Sequence, residues 1–227
     1  MDKEHLLANL SRNKKDMLLE IIGTCFDECT IKQRNKIFGQ FYNSILSWDE
    51  INENKLRSKI DKFKRDSFDG VYYAPFEINS KNFTHVPDET EKWFDNLGDL
   101  LLETKELANQ NKPSEAIHCF QKLFQLIDDM AGGHEFIFAD EYGTWMIPVR
   151  MSDITDCYIS SAASVCNPKE FTEHLLPLFR RDSRESFSNH VMKHAKKYAN
   201  NEQLKFLLEE LKNQKIRVQQ EINARWN

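Results

Sequence analysis

The chain has 227 residues, 40% apolar and 11% aromatic, with only seven glycines and six prolines. That excludes a disordered or collagen-like polymer and suffices for one large domain or two small ones. The net charge of −5 is uneven: residues 68–150 carry 6 basic and 15 acidic side chains (−9), while 1–67 and 151–227 are each +2, with 13 against 11 and 12 against 10.

The opening residues Met1-Asp2-Lys3-Glu4-His5 lack the basic-then-apolar order of a signal peptide. No apolar run approaches the ~20 residues that a membrane span needs. Five cysteines, with no CxxC pair, read as reduced thiols, Cys25 and Cys29 falling on one apolar helix stripe. A cytoplasmic location is expected.

Helix starts recur along the chain. Thr30-x-x-Gln33, Ser47-x-x-Glu50 and Asp88-x-x-Glu91 have capping-box form, and Asn167-Pro168-Lys169-Glu170 adds a proline at the first helical position. Apolar stripes of helical spacing accompany them, one through Ala116, Phe120, Leu123, Phe124, Ile127 and Met130, another through Leu204, Leu208, Leu211, Val218 and Ile222. These signals predict helices near 14–29, 31–46, 48–66, 88–110, 113–130, 152–166, 168–180, 183–199 and 201–223, with Pro177 kinking or shortening the 168–180 helix. Short connections make successive helices antiparallel neighbours.

The exceptions are two irregular islands, 67–87 and 131–151, each about twenty residues long, which is unusual inside a compact domain. In the second, Glu135–Ala139 and Thr144–Val149 flank Asp140-Glu141-Tyr142-Gly143, a pattern open to a short β-hairpin or an irregular insert near 132–150. Phe94-x-x-Leu97-Gly98-x-x-Leu101 and Ala116-x-x-x-Phe120 copy the two helices of a tetratricopeptide repeat, but six residues too far apart. The fold class expected is all-α: antiparallel helical hairpins stacked in an irregular array like tetratricopeptide or HEAT repeats. The division expected is 1–67 and 68–227, or one continuous domain over 1–227.

The segments Tyr72-Tyr73-Ala74-Pro75-Phe76-Glu77-Ile78-Asn79-Ser80-Lys81-Asn82-Phe83 and Phe138-Ala139-Asp140-Glu141-Tyr142-Gly143-Thr144-Trp145 resemble the two signature segments of a family of bacterial helical proteins without an assigned activity. The resemblance covers roughly residues 68–175. It implies that both islands are family hallmarks and supplies no substrate, cofactor or catalytic residue.

Candidate chemistry is sparse. His134, Glu135, Asp140 and Glu141 are four potential metal ligands within eight residues, a donor set suited to Mg²⁺, Mn²⁺ or a non-haem metal, yet their spacing matches no known loop. Capping of a turn is the ordinary role for Asp140 and Glu141. His190 and His194 stand one helical turn apart, but Val191 occupies the place where a zincin carries its general base. Neither a nucleophile elbow nor a phosphate-binding glycine pattern is present. Arg180, Arg181, Arg184, Lys193, Lys196 and Lys197 form a modest basic cluster, interrupted by Asp182 and Glu185.

Aromatic residues are the stronger signal: Tyr72, Tyr73, Phe76 and Phe83 in one island, Phe136, Phe138, Tyr142 and Trp145 in the other. Phe136, Phe138 and Trp145 are expected to pack inward, with Tyr73 and Tyr142 nearer the surface. The leading functional expectation is a protein-binding or adaptor module for a partner of basic character, with Tyr73, Phe76, Asp140, Glu141, Tyr142 and Trp145 at its edge and no cofactor. The alternatives are a metal-dependent enzyme using His134, Glu135, Asp140 and Glu141, and a nucleic-acid binder using the 180–197 cluster.

Overall fold

In the computed structural model residues 10, 13–30, 33–34, 36–38, 50–75, 85–132, 137–180 and 186–216 are described. The chain divides into two compact units, 1–44 and 45–227.

The first unit contains α1 (Lys15–Glu28). Arg34 closes its C-terminal end, with Nε donating to the Phe26 carbonyl at 2.7 Å and the guanidinium 4.7 Å from the Phe26 ring centre. Half of the expected Thr30–Gln33 box is present, Gln33 Oε1 accepting from the Thr30 N–H at 2.9 Å. Residues 33–34 and 36–38 are helical, and the remainder of the 31–46 helix lies outside the described residues.

The second unit contains α2 (Glu53–Phe68), α3 (Asp88–Asn109), α4 (Pro113–Gly132), α5 (Met151–Val165), α6 (Pro168–Arg180), α7 (Ser186–Tyr198) and α8 (Asn201–Asn213). Among the described residues there is no strand, and no helix is long and apolar enough to cross a membrane. The unit is all-α, with packed helix pairs: α3 against α4, α5 against α7, and α6 against α8.

Helix ends follow local chemistry, and three differ from expectation. α2 begins at Glu53, with Asn52 accepting from Lys55 N at 3.0 Å. The Ile51 N–H donates instead to Gln110 Oε1 at 2.8 Å, so a tertiary bond claims the backbone that a helix from 48 would use. α3 starts with Asp88 already helical after Pro87, and Asp88 makes no cap. α8 stops at Asn213, ten residues early: Lys215 adopts φ +56°, Lys215 N–H reaches the Lys212 carbonyl and Ile216 N–H reaches that of Leu211, a Schellman ending without glycine. Asn111, at φ +61°, ends α3 in the same way. The Asn167–Glu170 cap forms reciprocally, at 3.0 and 3.1 Å, and α6 runs through Pro177 to Arg180.

The core centres on Trp93, which is 0% exposed. Its ring lies 5.5 Å from Phe63, 5.0 Å from Phe94 and 5.2 Å from Phe138. A buried indole N–H needs an acceptor, and Ser67 Oγ supplies it at 2.8 Å while donating to the Phe63 carbonyl at 2.8 Å. Ser67→Ala leaves that indole unsatisfied and should cost about 1–3 kcal/mol. In a Trp93→Phe background most of that cost should vanish. Urea unfolding of the four variants measures it, and equal costs in both backgrounds would count against the bond.

Candidate functional site

The second island is laid along α3 as a strap. Ile137, Phe138 and Ile147 are buried, and the Phe138 ring packs edge-on to Trp93 and stacks on Phe94 at 5.5 Å. Tyr142 packs edge-on against Phe138 at 5.4 Å. Farther along, the strap meets α3 at Gly98, where an added Cβ would lie 2.6 Å from Pro148 Cγ. Gly98 is needed for this approach. Gly98→Ala gains about 1 kcal/mol of helix propensity and loses about 1–3 kcal/mol to overpacking, so a net loss is expected in chemical unfolding; a gain would mean that Pro148 shifts freely.

Between its two buried anchors the strap turns outward. The Asp140 carboxylate accepts from the Glu141 N–H at 2.8 Å, and both acids are exposed. Thr144–Met146 form one turn of 3₁₀ helix where the second hairpin strand was one alternative, so the described part of the insert is irregular. Trp145, expected in the core, is 81% exposed. Ile147 takes the inward place, while the Trp145 ring folds back over Gly143, where a Cβ would come within 1.6 Å of it. Tyr142 is half-buried, and loss of water, then the nearby Asp140 charge, pushes its hydroxyl pKa up.

The first island reaches the same helix. Tyr72 is buried against Phe63, and its hydroxyl accepts from Asn96 Nδ2 at 3.2 Å. Tyr73 faces outward, 47% exposed, as expected. Phe76, Phe83, His134, Glu135 and Phe136 lie outside the described residues. Of the candidate binding residues, Asp140, Glu141, Tyr142 and Trp145 therefore share one strap, and Tyr73 belongs to the other island.

Some of the other candidates have structural partners. Among the described residues no three of His, Cys, Asp and Glu gather as a metal site. His194 Nδ1 pairs with Asp156 across α5 and α7, and Tyr198 donates to the other Asp156 oxygen at 3.1 Å. The His190 ring lies 4.2 Å from that of His194. In the basic cluster Arg180 donates to Gln214 at 2.6 Å, residues 181–185 lie outside the described set, and Lys193 and Lys196 are exposed. Burial pushes the Cys157 thiol up to about 11 and raises Cys119 and Cys166, so these thiols stay protonated at neutral pH.

One electrostatic feature was readable only as spacing. Asp95, Asp99 and Glu103 follow each other at i,i+4 on α3, and Lys59 donates to both Glu103 oxygens at 2.7 and 2.8 Å. Loss of water around Asp99, then the like charges of Asp95 and Glu103, push its pKa up to about 6, with Lys59 opposing. The residue is exposed overall, so solvent screens part of this shift and the effect on stability is correspondingly small. An unfolded aspartate titrates near ~3.9. As pH rises from about 4 to 6, the unfolded chain releases this proton first, and folding stability falls. Asp99→Asn should flatten that fall and be the more stable protein at pH 7, as read by urea unfolding at both pH values; an unchanged slope would remove Asp99 as its source.

Comparison with protein-family models, with curated proteins and with solved structures finds no match to this chain.

Proposed function

We propose that the second unit is an irregular, repeat-like stack of helical hairpins, similar to tetratricopeptide or HEAT arrays, which binds another protein or peptide through the Trp145 edge and acts as a cytoplasmic adaptor. Support for a stack comes from contacts with neighbours and next neighbours: α3 packs on α4 and α5, α5 on α6 and α7, and α6 on α7 and α8. The five free thiols suit a reducing compartment.

The observation that carries the binding reading is Trp145. An 81%-exposed tryptophan forgoes much of the burial its large apolar ring could gain. Tryptophan is also among the residue types most enriched at interface hot spots. Its backbone is held by buried Phe138 on one side and buried Ile147 on the other, so little order need be gained on docking. Asp140 and Glu141 beside it favour a partner with basic residues at its rim.

The test is retention of arrayed Lys/Arg-rich peptides with apolar anchors by the immobilised full chain. Trp145→Ala should lower affinity at least about tenfold, the range of a hot-spot truncation, while altering folding stability by less than ~0.5 kcal/mol, as an exposed site should. Gly143→Ala, which displaces the ring without removing it, should weaken binding to a smaller degree, and Glu141→Lys should make it less salt-sensitive. Equal retention by the wild type and Trp145→Ala would refute this edge as the binding surface.

A further inference from the structure

A second candidate site lies away from the strap, in a groove between α2 and α4. Arg57, His118, Cys119, Gln121 and Lys122 line a cavity of about 360 Å³, within the usual range for small-ligand sites. His118, Gln121 and Lys122 stand at i, i+3 and i+4, and therefore share one face of α4. Buried Cys119 belongs to the same wall.

Arg57 is the unusual member. Its Nε is out of contact with solvent and, among the described residues, has no hydrogen-bond partner. No carboxylate among the described residues pairs with its guanidinium: Asp61, one turn along α2, pairs with Lys122 at 2.5 Å. The guanidinium does reach the Cys119 thiol, but a neutral sulfur is a weak acceptor. Arg57 as a residue is only partly buried, so it is the Nε–H, not the whole guanidinium, that is dry and unmet among the described residues. Opposite it, Gln121 is held in place. Its Nε2 and the Tyr158 hydroxyl lie 3.0 and 3.1 Å from the same nitrogen of His174, whose pKa burial lowers. A neutral ring can accept there, so α4, α5 and α6 fix that wall before any ligand arrives.

We infer that this groove binds a small molecule through a single oxyanion, a carboxylate or phosphate group, with Arg57 as its principal contact and Lys122 as its second cation. The two terminal nitrogens of a guanidinium can take two oxygens of one oxyanion end-on, which an ammonium cannot do. Lys122 is partly exposed, and its pairing with Asp61 is a surface ion pair of small value, so it can turn to the ligand at little cost. Two cations against one aspartate leave a net positive charge, which suits one anionic group. The stems of Arg57 and Lys122 provide apolar surface for the rest of the molecule.

The experiment is a titration of the full chain with inorganic phosphate and separately with acetate, at ionic strength held constant with chloride, following the Arg57 Nε–Hε and the His118 and Gln121 amide signals by NMR. A saturable shift is expected for at least one anion, with half-saturation at roughly millimolar concentration. Phosphate saturating alone assigns a phosphorylated ligand; acetate saturating alone assigns a carboxylate. Lys122→Met should weaken the response roughly three- to fivefold, the value of a surface cation. Arg57→Lys, which keeps the charge but not the fork, should abolish saturation at His118 and Gln121 while leaving the remaining spectrum in place. A linear drift equal to that of chloride, or an unchanged saturable response in Arg57→Lys, would overturn the assignment.

Discussion

The second unit hangs on the indole of Trp93. A tryptophan removed from water must find an acceptor for its N–H, and Ser67 on the last turn of α2 is that acceptor. The bond sets how α2 lies on α3. The rings around it then do the rest: Phe63 and Tyr72 approach from the α2 side, Phe94 from α3 itself, and Phe138 from the second island. Both irregular segments thus terminate on one aromatic cluster. Among the described residues of these segments the buried side chains are mostly large, and α3 provides a floor for them.

The other end of the unit relies on polar side chains that satisfy several partners at once. Gln203 is buried, yet its oxygen accepts from the Asn200 N–H at 2.9 Å and its amide donates to the Ala163 and Cys166 carbonyls at 3.1 and 2.8 Å. One side chain therefore caps the start of α8 and the end of α5. Asp156 plays a similar part between α5 and α7, taking His194 and Tyr198 on its two oxygens. This accounts for the HxxxH spacing that resembles a metal motif: the second histidine faces a carboxylate on the neighbouring helix, and no zinc-type third ligand is gathered with it among the described residues.

Much of the helix content was legible because it rests on local rules. The Asn167–Glu170 cap, the i, i+3, i+4 stripe of α4 and the buried Phe138 all follow from spacing and residue type. What was not legible depends on contacts distant in sequence or on backbone detail. The start of α2 is decided by Gln110, 59 residues away from Ile51. The end of α8 is decided by a lysine in the left-handed region, which no residue preference announces. Trp145 reads as core by type, yet between Gly143 and Ile147 there is one inward place, and isoleucine occupies it. The α2–α4 groove joins Arg57 to Lys122 across 65 positions, with nothing in either segment to pair them.

Charge counted along the chain also misleads until the helices are packed. Ion pairs cross between α2 and the acidic middle segment in both directions: Lys59 of α2 takes Glu103, while Lys122 of α4 takes Asp61 of α2. At the chain's entry to α2, Glu50 receives Lys112. Two of these three pairs spend a lysine of 68–150 on an acid outside it, so they do not offset the −9, and Asp140 and Glu141 stand exposed beside Trp145. The same packing leaves a local positive pocket at Arg57 inside an acidic molecule. The two ligands proposed, a basic protein edge and a small oxyanion, thus fall on surfaces of opposite local charge, so the field of each site disfavours the ligand of the other.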